Sequence, residues 1–229
     1  MAQIIKILFD DNKIIVAEKP PGILSQSDFT NREDMLNLIK AYIVKKYSKP
    51  GRAFVGLVHR LDKEVGGVMV FARNSKVAKK LSLLIQSRNF HKKYIAVIQD
   101  FILPETGILR DVLIKNPKLN ITKISTTSLG KFSELKYKIL QKQNNFSLIE
   151  IELITGRSHQ IRVQFASRKC PLYGDVKYGG EINMSDKNRS VSLWAYSLSF
   201  DYPNEEAKKV EFISYPPQAF PWNQFNFPL

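Results

Sequence analysis

The sequence predicts an α+β fold, a mixed and largely antiparallel central sheet with flanking helices. Three observations carry that expectation. Short runs of β-branched and aliphatic residues recur along the chain, and several adjoin polar turn-forming residues. Only a few stretches space their apolar residues at helical period. The regular strand–helix–strand alternation of a doubly wound parallel sheet is missing.

Residues 4–9 and 14–18 read as strands, and Asp10-Asp11-Asn12-Lys13 as the turn of a hairpin between them. Lys19-Pro20-Pro21-Gly22 then breaks the pattern and opens a loop. Across 33–47, Met35, Leu38, Ile39, Tyr42 and Ile43 recur at helical spacing, and Pro50-Gly51 stops that helix. Strands are expected at 54–59 and 67–73, around a turn at 61–66. A helix capped by Ser75 follows to residue 85, with Val77, Leu81 and Leu84 on one face. Residues 90–98 return as a strand. A second hairpin joins 132–140 to 146–154 through Gln143-Asn144-Asn145. Gly156 supplies a tight turn before a short helix over 159–168. A strand spans 191–200. The apolar tail, with Pro216, Pro217, Phe220, Trp222, Phe225 and Phe227, is expected to cover an edge of the core.

With 229 residues, 44% of them hydrophobic, the chain can bury a sizeable core. One domain over 1–229 is expected, with two pseudo-symmetric halves as one way to build it. A single cysteine, Cys170, excludes an internal disulfide. Asp10 and Asp11 come too early for a signal-peptide core, and no apolar run reaches bilayer length, so a cytoplasmic protein without membrane attachment is expected. Thirty-five Lys and Arg against 21 Asp and Glu leave a formal charge of +14, which favours polyanions and nucleic acid first. An acidic membrane surface fits less well, because no basic amphipathic helix carries a continuous apolar stripe. Three widely spaced histidines and one cysteine offer no metal-ligand cluster.

The segment His59-Arg60-Leu61-Asp62 places a cation and a carboxylate two residues apart at a strand-end turn, where both can project to one side. The plainer reading makes Asp62 a turn starter and Arg60 a solvated edge residue. Two further segments weigh against it. Lys92-Lys93-Tyr94-Ile95-Ala96 is a strand carrying a tyrosine, and Thr155-Gly156-Arg157-Ser158-His159-Gln160-Ile161-Arg162 puts two arginines in an otherwise hydrophobic region. His59 and His159 read as structural. Glu64 sits too close along the turn to form a two-carboxylate glycosidase pair with Asp62 across a sugar.

Together these segments resemble the RluA family of RNA pseudouridine synthases. The likeness continues through Ile15-Val16-Ala17-Glu18-Lys19-Pro20-Pro21-Gly22, Pro171-Leu172-Tyr173-Gly174-Asp175 and Tyr178-Gly179. It departs at Val65-Gly66 before Gly67, at Gln164 and at Trp194, which bear on substrate choice. The resemblance implies a pseudouridine synthase-like catalytic domain without an N-terminal S4 domain, acting as a monomer on ribosomal or transfer RNA. It implies isomerisation without cofactor or metal, since the reaction is neither redox nor net hydrolysis. Asp62 would be the catalytic carboxylate, as nucleophile or as base, Arg157 its charge partner, and Tyr94 the residue that stacks on the target base. These three are expected to line one cleft. Arg60 and Arg162 would bind RNA, Arg60 by filling the gap of an extruded base or by clamping a phosphate. A catalytically idle RNA-binding protein of the same fold is the alternative, and a nucleoside or glycoside hydrolase lacks a water-activating partner.

Overall fold

The computed structural model describes residues 5–28, 32–48, 53–99, 103–181 and 190–227. The expected strand start at Ile4 and the helix stop at Pro50-Gly51 lie outside them. Contacts along the chain group into two units, Met1–His91 with Ala195–Ser214 and Lys92–Trp194 with Tyr215–Leu229.

The first unit opens with the expected hairpin of β1 (Lys6–Asp10) and β2 (Ile14–Lys19), paired antiparallel. Asp11 closes its turn by accepting the main-chain N–H groups of Lys13 and Ile14, each at 2.8 Å. Helix α1 (Met35–Tyr47) starts on Asp34, whose carboxylate accepts the Asn37 N–H at 3.1 Å. It buries Met35, Ile39 and Ile43 from the predicted apolar face. Tyr42, Lys46 and Tyr47 of α1 converge on the Asp10 carboxylate at 3.0, 2.7 and 3.0 Å, which ties the helix to the hairpin.

Strand β3 (Gly56–Leu57) is shorter than the expected 54–59, and it pairs with β4 (Gly66–Ala72), as β2 does. All seven residues of β4 are buried, as a central strand covered on both faces requires. Helix α2 (Ser75–Gln86) is capped by Asn74 rather than Ser75. Asn74 keeps an extended backbone while its Oδ1 accepts the Val77 N–H at 2.9 Å, and Ser75 becomes the first helical residue. Val77 and Leu81 pack with Ile14, Val16, Val68, Val70 and Phe90 in one core.

Strand β5 (Phe90–Gln99) leads into the second unit, which adds β6 (Thr106–Asn116), β7 (Ile121–Ile124), β8 (Lys131–Gln143) and β9 (Phe146–Leu153). There the order is β5-β9-β8-β6-β7, antiparallel throughout. The β8–β9 hairpin turns where expected, with Asn144 at φ 53°. Helix α3 (Gln160–Ala166) is shorter than expected, and the left-handed residue at its start is His159 (φ 53°) rather than Gly156. The Phe165 ring of α3 meets Tyr137 of β8 edge-on, with centroids 5.6 Å apart. In the tail, Trp222 and Phe225 are buried as expected.

From Ala195 the chain belongs to the first unit again, where β10 (Leu193–Asp201) neighbours β4 and pairs with β11 (Lys209–Ile213). Gly67 makes the approach of β4 to β10 possible. Its φ is +122°, and a Cβ there would lie 2.3 Å from the Ala195 carbonyl oxygen. Among the described residues no helix is long and apolar enough to cross a membrane.

Candidate active-site residues

Asp62 is half-buried in the turn that leads from β3 to β4. Its own carbonyl accepts the Val65 N–H at 3.1 Å, and the residues on either side are held from the 19–25 segment. The buried Ser25 hydroxyl donates to the Leu61 carbonyl at 2.7 Å and accepts the Leu61 N–H at 3.0 Å. Beyond Asp62, the Lys63 carbonyl accepts from the Gly22 N–H at 2.8 Å and from Lys19 Nζ at 2.9 Å. The carboxylate therefore stands on a loop braced before and after it, a sound base for a reactive group.

Lys19 is the least expected member of this surround. It is completely buried, and its Nζ also donates to the Pro20 carbonyl at 3.0 Å. Burial pushes its ammonium down to about 7, against the opposing pull of the Glu64 and Asp62 carboxylates. Composition hid this lysine among many others. Its burial continues that of residues 14–17 along β2, past the half-buried Glu18.

Arg60 is exposed beside the braced loop, as an RNA-facing role needs. His59 is structural, as expected: its Nε2 accepts the Val70 N–H at 3.1 Å, and its ring packs 5.6 Å from Phe90. Glu64 is half-buried near Lys63, 3.7 Å from its Nζ.

Asp62 belongs to the first unit, whereas Tyr94, Arg157 and Arg162 belong to the second. Tyr94 is buried on β5 opposite Ile151, which in turn faces Tyr137. Arg157 is exposed, with its Nε donating to the Phe132 carbonyl at 2.9 Å. Gln160 organises this turn, its Oε1 accepting from the Arg157 N–H at 2.9 Å and the Thr155 hydroxyl at 2.8 Å.

Arg162, expected at an RNA surface, is buried. Its Nε and Nη2 form a bidentate pair with Asp175 at 2.7 and 2.6 Å, and the guanidinium lies 5.2 Å from the Tyr178 ring centroid. The difference arises because residues 160–165 of α3 are all buried, which leaves Arg162 no solvent-facing side of the helix to occupy. Tyr178 is fixed in turn, its hydroxyl 2.8 Å from His159 Nδ1 and accepting the Thr122 N–H at 2.9 Å. The departures from the family pattern are all buried or built in. Gln164 donates to Asp111 at 2.6 Å beside Arg168, and Trp194 and Val65 lie in the core.

Residues 13–167 match the family model described as RNA pseudouridylate synthase. The chain is 30% identical over 220 residues to the ribosomal large subunit pseudouridine synthase D of Borreliella burgdorferi, covering 94% of this chain and 66% of that one. It is 32% identical over 201 residues to an uncharacterised RNA pseudouridine synthase of Mycoplasma genitalium, covering 87% and 63%. It thus spans a little under two thirds of the length of these relatives. The fold is similar to that of human RNA pseudouridylate synthase domain containing 4, with a TM-score of 0.77 at 22% identity over 93% of this chain and 89% of the other.

Proposed function

We propose, for a chain that belongs to the RNA pseudouridylate synthase family, the isomerisation of uridine within RNA to pseudouridine, with Asp62 as the catalytic carboxylate. The match over residues 13–167 carries this reading, because it includes Asp62, Tyr94 and the 155–162 turn. The reaction breaks the N1–C1′ bond, turns the base and joins C5 to C1′. C5 loses a proton and N1 gains one, so no electrons are exchanged. Asp62 serves this either by attacking C1′ or by taking the proton that starts glycal formation. The bracing of Leu61 and Lys63 supports the role, since a carboxylate held in place needs little ordering on the way to the transition state.

Tyr94 is proposed to pack on the uracil ring, and Arg60 to occupy the space of the extruded base or to hold a phosphate. Arg157 is, by resemblance, the cation that steadies the carboxylate. Its exposure supports an RNA-facing guanidinium as well, while the burial and bidentate support of Arg162 favour that residue as the fixed cation. Relatives named for the large ribosomal subunit favour ribosomal RNA over transfer RNA as substrate. This reading takes the enzyme to be a cytoplasmic monomer that needs neither metal nor cofactor, as the resemblance implies.

The test is release of C5 hydrogen from total cellular RNA of a strain lacking the gene, with RNA mass unchanged. No release from the intact protein would leave an idle binder. Loss of a base would leave a hydrolase.

A further inference from the structure

Lys92 and Lys93 are adjacent on β5 and so project to opposite faces of the sheet. Lys93 meets Glu150 at 3.4 Å, and on its face Lys136 stands opposite Glu152 and Arg110 binds Glu134 at 2.8 Å. That face balances its own charge. Lys92 shares its face with Tyr94, two residues along and about 7 Å away. Among the described residues its ammonium makes no ion pair or hydrogen bond, and burial alone pushes it below the ordinary lysine value.

The Lys92 ammonium lies over Gly156, 3.2 Å from where a Cβ would stand. Gly156 and Arg157 are exposed, and the Arg157 side chain is anchored on the Phe132 carbonyl. The second unit thus holds a desolvated cation without a counter-ion, against an exposed turn bearing a second cation. Within the protein such a lysine only costs stability. An arriving anion reverses that, and lysine suits phosphate because its compact ammonium can meet any of several oxygens.

We propose that Lys92, over the Gly156–Arg157 turn, is the binding site for a backbone phosphate of the RNA next to the nucleotide that Tyr94 packs on. The site rests on the proposed activity for the identity of its ligand. Gly156 keeps the turn low enough for phosphate oxygens to reach the ammonium. Phosphate contacts fix register and carry no sequence information, so Lys92 would serve any target uridine.

The test compares the intact protein with Lys92→Met in binding a fluorescein-labelled oligouridylate over a salt series, alongside thermal melting and C5-hydrogen release. Lys92→Met should flatten the slope of log affinity against log salt by about 0.7, one single-strand phosphate contact. Its KM should rise while kcat holds. Its melting temperature should hold or rise, because an unpaired desolvated cation is gone. Lys138→Met, on the charge-balanced face, should leave the slope unchanged. Gly156→Ala, which crowds the ammonium with a methyl group, should flatten the slope in part, and it gives the answer if Lys92→Met fails to fold. An unchanged slope for both Lys92→Met and Gly156→Ala, or an equal loss in Lys138→Met, overturns the site. Intact protein that binds with the full slope but releases no hydrogen overturns the activity and leaves the phosphate site standing. Failure to bind RNA at all overturns both.

Discussion

Lys19 donates from its buried Nζ to the main-chain carbonyl of Lys63, the residue that follows Asp62, at 2.9 Å. Replacing it with methionine keeps the stem and removes both of its carbonyl bonds, which should cost about 1–3 kcal/mol, partly offset by relief of the buried charge. The sign of the pH dependence follows from its depressed pKa of about 7. Between about pH 7 and the ordinary lysine range, the unfolded chain holds a proton that the folded chain has released. Stability gained from this group therefore rises with pH across that window and is flat below it. Lys19→Met lacks the rise, so its deficit should be larger at about pH 9.5 than at about pH 6.5 in urea melts. Equal deficits at the two pH values would refute a titrating Lys19.

The Arg162–Asp175 pair predicts a different asymmetry. Asp175→Asn keeps the shape but strands a buried guanidinium, at about 3–5 kcal/mol. Arg162→Met combined with Asp175→Leu removes both charges and should be less costly than Asp175→Asn alone. Chemical denaturation of Asp175→Asn, of the double variant and of its two component single variants decides it, and an additive double variant would show that the two residues are not coupled.

Two glycines with positive φ separate strain from crowding. Gly22 (φ +88°) has nothing within 4 Å of an added Cβ, whereas at Gly67 that atom meets Ala195 main chain. Gly22→Ala should cost about 1 kcal/mol, from backbone conformation alone. Gly67→Ala should cost about 3 kcal/mol or more, because overpacking adds to the strain. Similar melting temperatures for the two variants would contradict the close approach of β4 to β10.

What the sequence made legible follows from how local each signal is. The β1–β2 and β8–β9 hairpins, α1 and α2 were readable because period and turn chemistry lie within a few residues. Strands β6 and β7 are not legible, since Arg110, Asp111 and Lys115 break up the apolar pattern of β6, and β7 has four residues. β11 alternates Lys209 and Glu211 with Val210 and Phe212 and is hidden for the same reason. Among the candidate residues, Asp62, Tyr94 and the 155–162 turn stand out only together, through the family resemblance of their three segments. Burial was not legible. Nothing local shows that Lys19 and Arg162 turn inward, that Lys92 lacks the carboxylate its neighbour Lys93 has, or that Asp175 exists to hold an arginine.

The decisive substitution is Asp62→Asn. It preserves size and one carbonyl acceptor, and it leaves the bonds that hold Leu61 and Lys63 in place, since those use main chain, Ser25 and Lys19. The fold and RNA affinity should therefore stay close to those of the intact protein. An amide can neither attack C1′ nor take a proton, so release of C5 hydrogen should fall by about 10²–10⁴-fold or more. Tyr94→Phe provides the contrast. It keeps the ring proposed to pack on uracil and loses the hydroxyl, so an RNA-packing role predicts retained binding with a smaller drop in kcat. If the phenol instead removes the C5 proton, Tyr94→Phe should accumulate product still carrying that proton while bond exchange at C1′ has already occurred. Wild-type release from Asp62→Asn, measured on RNA from a strain lacking the gene, would remove Asp62 from the mechanism whatever the outcome at Tyr94.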